Sequence, residues 1–150
     1  DEGVALARGA IDRALATNPD LPEVLARLGL IQGQFEWQWE EAEASVLRAV
    51  ELAPNSDITR GAAGSVISAL GRVEESLGYY QDILADDPLD LVTLYNTADQ
   101  LHRLGRTEEA ERIFRRLLEL NPEDWGTHTQ LAIIMMVQGS TEEAWAELVV

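Results

Sequence analysis

Apolar residues return along most of this chain at three- and four-residue steps, the spacing that lays a stripe on one face of an α-helix. In residues 91–122, Leu94, Ala98 and Leu101 share one such stripe, and Ala110, Ile113, Phe114, Leu117 and Leu118 share a second. Opposite the second stripe stand Glu108, Glu111, Arg115, Arg116 and Glu119, with Glu111 and Arg115 spaced for an i,i+4 ion pair. The stripes break at regular intervals. Pro19, Pro54, Pro88 and Pro122 recur at steps of 35, 34 and 34 residues. Each stops a helix, because proline has no amide donor and clashes with the preceding turn. Gly71, Gly105 and Gly139 each lie 17 residues from a proline and supply a second break. After the last glycine, Ser140-Thr141-Glu142-Glu143 has the spacing of a capping box. Each unit therefore runs helix, glycine turn, helix, proline turn.

Within that period, residue size recurs as well. The first helix carries a small residue at Gly29, Gly64, Ala98 and Ala132. The second carries another at Ala42, Ser76, Ala110 and Ala144, then a bulky one four positions on at Val46, Tyr80, Phe114 and Leu148. This 34-residue pattern of small and large positions resembles the tetratricopeptide repeat. The resemblance implies an all-α, right-handed superhelical solenoid of antiparallel helix pairs. It would comprise a lone second helix in residues 1–19, full repeats at 22–54, 57–88 and 91–122, and a truncated repeat at 125–150. In the leading segment Ala7, Ile11 and Ala14 take the core positions. Two departures stand out. The usual first-helix Trp is replaced by Leu25, Arg60, Leu94 and His128. The first full unit is one residue longer at its turn, where Gln34-Phe35-Glu36-Trp37-Gln38-Trp39 replaces the glycine link. That aromatic turn followed by Glu40-Glu41-Ala42-Glu43 is similar to a subtype found in multidomain bacterial signalling proteins. Trp37 and Trp39 stand two apart and cannot share a helical face, so one is expected to pack over the hairpin end and the other to be exposed.

The family places its peptide contacts on the first helices, which line a concave groove. Carried onto this chain, those positions are Glu23, Ala26, Arg27 and Leu30; Ile58, Ala62, Ser65 and Ala69; Tyr95, Asn96, Asp99, His102 and Arg103; and Thr129, Gln130, Ile133 and Met136. The third set looks the most functional. The implied function is a scaffold that binds a protein or peptide segment in the groove. Alanine at Tyr95, Asn96 and Arg103 is expected to weaken binding without lowering the melting temperature. Asn96 and Arg103 occur without Lys or a second matching Asn, which argues against a clamp for an acidic C-terminal tail. The alternatives are self-association through the repeat end, centred on Ala144, Leu148 and Val149, or a regulatory segment of a larger bacterial signalling protein or enzyme.

Charge narrows the partner. The chain has 11 basic residues, all Arg, against 27 acidic ones, for a formal net charge of −16. Such a surface repels phosphate backbones and anionic lipid, so no nucleic acid and no membrane partner is expected, and basic or apolar segments are favoured. With a hydrophobic fraction of 46% the chain has the composition of a folded domain. No apolar run approaches the ~18–20 residues of a membrane span. The opening Asp1-Glu2-Gly3 shows no export signal, pointing to a cytoplasmic protein, and the absent initiator Met to a processed product or a piece of a longer chain.

No enzyme and no cofactor are expected. Cysteine and lysine are both absent, which removes thiolate and Schiff-base chemistry. His102 and His128 lie too far apart for a local metal motif, and His128 sits where a helix–helix contact is required. The pairs Glu40-Glu41, Glu74-Glu75, Glu108-Glu109 and Glu142-Glu143 recur just after the mid-unit break, where carboxylates favour the positive end of a helix. Recurrence in every unit fits that role better than acid–base catalysis.

Overall fold

The computed structural model describes residues 2–148. Among them the chain forms α1 (Glu2–Thr17), α2 (Pro22–Gln34), α3 (Trp39–Leu52), α4 (Asp57–Ala69), α5 (Val73–Asp86), α6 (Leu91–Arg103), α7 (Thr107–Leu120), α8 (Trp125–Gln138) and α9 (Thr141–Glu147), with no strand. No helix among the described residues is long and apolar enough to cross a membrane. The helices fall into two compact units that divide inside α5, between Ile83 and Leu84.

In the first unit α2 and α3 pair, and α4 packs on both. Ala26, Ala42, Val46, Ala49, Ala62, Ala63 and Val66 form the core between them. The pairing depends on absent side chains. A Cβ on Gly29 would stand 2.5 Å from Val46 Cγ1 and 2.9 Å from the Ala42 carbonyl, and one on Gly64 would stand 2.8 Å from the Tyr80 ring. Ser76, which replaces the second-helix alanine, is buried and donates its hydroxyl to the Gly64 carbonyl at 2.8 Å. In the second unit α6 pairs with α7 and α8 with α9, and α7 touches α8. Its buried residues include Ala98, Leu101, Ala110, Phe114, Leu117, Leu131, Ala132, Met135 and Ala144. The small and bulky positions read from the repeat are thus its packing positions, apart from Leu148, which is 45% exposed.

The glycine turns close as expected. Gly71, Gly105 and Gly139 have φ of 83°, 76° and 88°. The next residue's amide reaches back five positions to the helix: Arg72 to Ile67 O, Arg106 to Leu101 O and Ser140 to Met135 O. In the first unit the residue 34 positions before Gly71 is Trp37, and it takes the same left-handed conformation with φ of 58°. A side chain in that region is strained. The extra residue carries the chain into α3 through Gln38 N, which donates to Gln32 O. Trp39 packs on Gly33, where a Cβ would lie 2.8 Å from its ring, while Trp37 stays 75% exposed and meets Trp39 edge-on at 6.2 Å.

Two expectations are corrected. The Ser140 side chain caps nothing, so the capping box does not form; the Ser140 carbonyl accepts from Ala144 N instead. The side-chain caps are Asp90, which accepts from Thr93 N at 2.6 Å, and Asp124, which accepts from Thr127 N at 2.9 Å and Thr127 Oγ1 at 2.5 Å. Of the α1 residues assigned to the core, only Ile11 is buried; Ala14 is half-buried and Ala7 exposed. The first-turn glutamates stand where expected, at the starts of α3, α5, α7 and α9. Arg115 and Glu111 pair at 2.8 Å.

Two glycines separate close packing from helix propensity. Gly29→Ala overpacks the α2–α3 contact, at a cost of about 1–3 kcal/mol that outweighs the ~0.5–1 kcal/mol gained by replacing a helical glycine. Gly78 in α5 has nothing within 4 Å of an added Cβ. Urea unfolding is expected to show a lower midpoint for Gly29→Ala and a higher one for Gly78→Ala. A raised midpoint for Gly29→Ala would remove close approach as the constraint at that contact.

Candidate functional site

The start of α6 is set by the Asp90 cap, and from it the exposed side of the helix presents several of the expected contact residues. Tyr95 is half-buried. Its ring meets Phe114 of α7 edge-on with centroids 5.6 Å apart, and its hydroxyl accepts from Gln130 Nε2 of α8 at 3.3 Å. One turn further, Gln100 Nε2 donates to Asp99 Oδ2 at 3.0 Å and Arg103 Nη1 donates to Gln100 Oε1 at 3.2 Å. The structure therefore joins Tyr95 to Gln130, and Asp99 to Arg103 through the buried Gln100. Asn96 is half-buried, and Ile133 on α8 is 38% exposed. His102 is half-buried, and its Nδ1 and the Thr97 hydroxyl are buried without a hydrogen-bond partner.

The contact residues assigned to the first unit divide by exposure. Arg27 on α2 and Ile58 on α4 are exposed, and Leu30 and Ser65 are half-buried, with Leu30 packed against the core. Ala26 and Ala62 belong to that core and are closed to a ligand. The self-association residues also need correction. Ala144 is 1% exposed beneath Ala132 and Met135, and Val149 lies outside the described residues. The apolar surface of that hairpin includes Trp125, Met136, Val137, Trp145 and Leu148, exposed by 78%, 48%, 77%, 63% and 45%.

Beside Tyr95 an open pocket of about 320 Å³ runs between α6, the end of α7 and the start of α8. Leu91, Val92, Tyr95 and Leu117 give it apolar walls, and Asn121, Asp124, Gly126 and Thr127 complete it. Of these only Tyr95 was expected. The signal that could have found the rest is positional: Gly126 stands where the earlier full repeats carry Glu23, Ile58 and Val92.

His128 makes the helix–helix contact expected of it. Nδ1 lies 2.7 Å from Glu147 Oε2 of α9 and Nε2 lies 2.9 Å from the Pro122 carbonyl. Both partners accept, so only the doubly protonated ring satisfies both. The Pro122 carbonyl, then the Glu147 carboxylate, raise the His128 pKa above its ordinary 6.5, against the opposing pull of burial. Arg60 fills the same repeat position in the first unit and bonds Asn55 at 3.1 Å. Among the described residues no three His, Asp or Glu gather as a metal site requires.

Residues 91–134 match the sequence profile of the tetratricopeptide repeat. That segment is a tetratricopeptide repeat. A tetratricopeptide repeat and J domain-containing co-chaperone, DNJ1 of Fusarium oxysporum f. sp. lycopersici, is 35% identical over 77 residues. The match covers 51% of this chain but only 15% of that relative. Among solved structures, the type IV pilus biogenesis factor PilW aligns with TM-score 0.85 and 21% identity over 98% of this chain and 69% of its own. YrrB, described as a TPR protein with an unusual peptide-binding site, aligns with TM-score 0.73 and 20% identity over 92% of this chain and 71% of its own. At these identities the likeness shows the fold: an all-α array of antiparallel helix pairs.

The His128 contact carries a pH dependence whose sign follows from the raised pKa. Its stabilisation is fully present below the unfolded value near 6.5 and is lost as pH rises through the folded one. Lower pH also relieves repulsion in a chain of net charge −16, so the His128→Gln variant supplies the baseline. Hydrogen exchange of α9 amides between pH 5.5 and 8 is expected to speed up with pH more in the parent than in the variant. Equal profiles would remove His128 as the titrating group.

Proposed function

We propose that this chain is a protein-interaction module and that a partner segment docks on the α6–α8 surface of the second unit. The observation that carries this reading is the ordering of that surface by its own hydrogen bonds, from Tyr95 to Gln130 and from Asp99 through Gln100 to Arg103. Side chains held in place before binding lose less freedom on contact, so more of the interaction energy appears as affinity. The tetratricopeptide fold supports the reading, as does the peptide-binding site that the description of YrrB gives for that protein. The partner is a basic or apolar segment, because a net charge of −16 attracts cationic chains over long range and repels acidic ones. Arg27, Leu30, Ile58 and Ser65 form a further candidate surface on the first unit.

A second reading is self-association through the α8–α9 hairpin, favoured by the exposure of Trp145, Leu148 and Val137. Light scattering over a dilution series separates the two: a monomer at all concentrations eliminates it.

The choice of test variant follows from the packing. Tyr95→Ala would strip the Phe114 contact as well as the surface, so the expectation that it spares the melting temperature is withdrawn. The pair Asn96→Ala and Arg103→Ala removes no apolar core side chain, although Arg103→Ala takes one donor from the buried Gln100. In a peptide-array screen this chain is expected to capture basic or apolar peptides. The double variant should bind them at least about tenfold more weakly, with no more than a small drop in melting temperature from the lost Gln100 contact. Equal capture by both proteins would move the site off this surface.

A further inference from the structure

Resting on the reading of this chain as an interaction module, we infer that the pocket opened by Gly126 is its specificity subsite. It receives one bulky apolar side chain of an extended partner peptide, with a Lys or Arg beside that residue.

Gly126 is the starting point. It stands one residue inside α8, two before His128, and the same register position is Ile58 in α4 and Val92 in α6. Those side chains are 43% and 70% exposed, so the position lies on the surface rather than in the packing between helices. Nothing in the backbone calls for glycine at 126: it is not among the positive-φ residues, and a Cβ there would meet only the Asp124 carboxylate, at 3.6 Å or more. A helical glycine lowers stability by ~0.5–1 kcal/mol relative to alanine, although less in the first turn. Its return is space. With no side chain at 126, the volume between α6, α7 and α8 stays open at about 320 Å³, at the lower end of the range for ligand pockets.

The lining selects what enters. Leu91, Val92, Tyr95 and Leu117 offer apolar surface, and Leu91 and Val92 remain 40% and 70% exposed. Two of the polar groups near it are already engaged, the Tyr95 hydroxyl with Gln130 and Asp124 Oδ2 with both the Thr127 amide and hydroxyl, which leaves the Asn121 side chain and Asp124 Oδ1. A polar guest would lose water and find few free partners, whereas an apolar one gains about 25 cal/mol for each Å² removed from water. Charge fixes the flanks. Asp124 lines the pocket and Asp90 caps the helix carrying Leu91 and Val92, so carboxylates stand at both helix starts. Helix dipoles offset part of that local charge, and the long-range field of a chain of net charge −16 does the rest. The occupant that fits both features is an apolar anchor next to a cation.

The test uses a randomised peptide library displayed on phage and selected on this chain, with fluorescence anisotropy on the enriched peptides. Gly126→Leu fills the pocket and Gly126→Ala leaves most of it open, and both should fold with melting temperatures at or above the parent's. The expected result is enrichment of a bulky apolar residue beside Lys or Arg. Affinity should fall at least about tenfold for Gly126→Leu and less than about threefold for Gly126→Ala. Peptides that lose affinity in the Asn96→Ala, Arg103→Ala protein but bind Gly126→Leu normally would overturn the subsite and leave the interaction reading standing. Enrichment of acidic or purely polar peptides would overturn the subsite as well. Failure to enrich any peptide would overturn both.

Discussion

Close approach of two helices at a side-chain-poor position is the constraint on which each hairpin depends. Where Gly29 faces Val46 and the Ala42 carbonyl, and Gly64 faces the Tyr80 ring, there is no room for a methyl group. Ala98 and Ala132 hold the corresponding places in the second unit, fully buried. A small residue on one helix lets the bulky residue of the other reach the shared core, and interiors at crystal-like density forgive little change in either. Everything that faces outward, including the candidate site, is then carried on helices whose spacing is already set.

Local electrostatics refine that frame more than they hold it together. Arg72 and Arg106 pair with glutamates three residues on, at 2.8 and 2.7 Å, and the pairs are well exposed. Exposed pairs of this kind contribute ~0–1 kcal/mol each. The His128 contact differs because the ring is mostly enclosed and bridges two helices through acceptors on both nitrogens. Asp124 does more than close a helix end, since it also lines the pocket beside Tyr95.

Two positions depart from the repeat without any packing reason. Trp37 holds a left-handed conformation that the later turns give to glycine, and keeps most of its ring in solvent. Gly126 omits a side chain where the three earlier full repeats carry Glu23, Ile58 and Val92. Departures from a local rule that bring no gain in packing are where a repeat scaffold carries function. Only at Gly126 does the surrounding lining also say what would occupy the space.

The sequence by itself determined the helices, their breaks and the identity of the packing positions, because a 34-residue period repeats each signal and chance does not. It also showed that the first turn is one residue longer than the later ones and that only one of Trp37 and Trp39 could pack inward. It did not determine which capping motif forms: Ser140 has the right spacing and caps nothing, while Asp90 and Asp124 do the capping. Nor could it sort Ala144, which is buried, from Trp145, which is not, as a surface for self-association. Of the candidate site it gave Tyr95, Gln130, Asp99 and Arg103 as separate positions. Only the tertiary structure decided that Tyr95 is tied to Phe114 and Gln130, and that a pocket opens beside it. The physical reason is that periodicity assigns residues to faces, whereas a pocket is the space left between three helices, and its size depends on contacts between residues 35 positions apart.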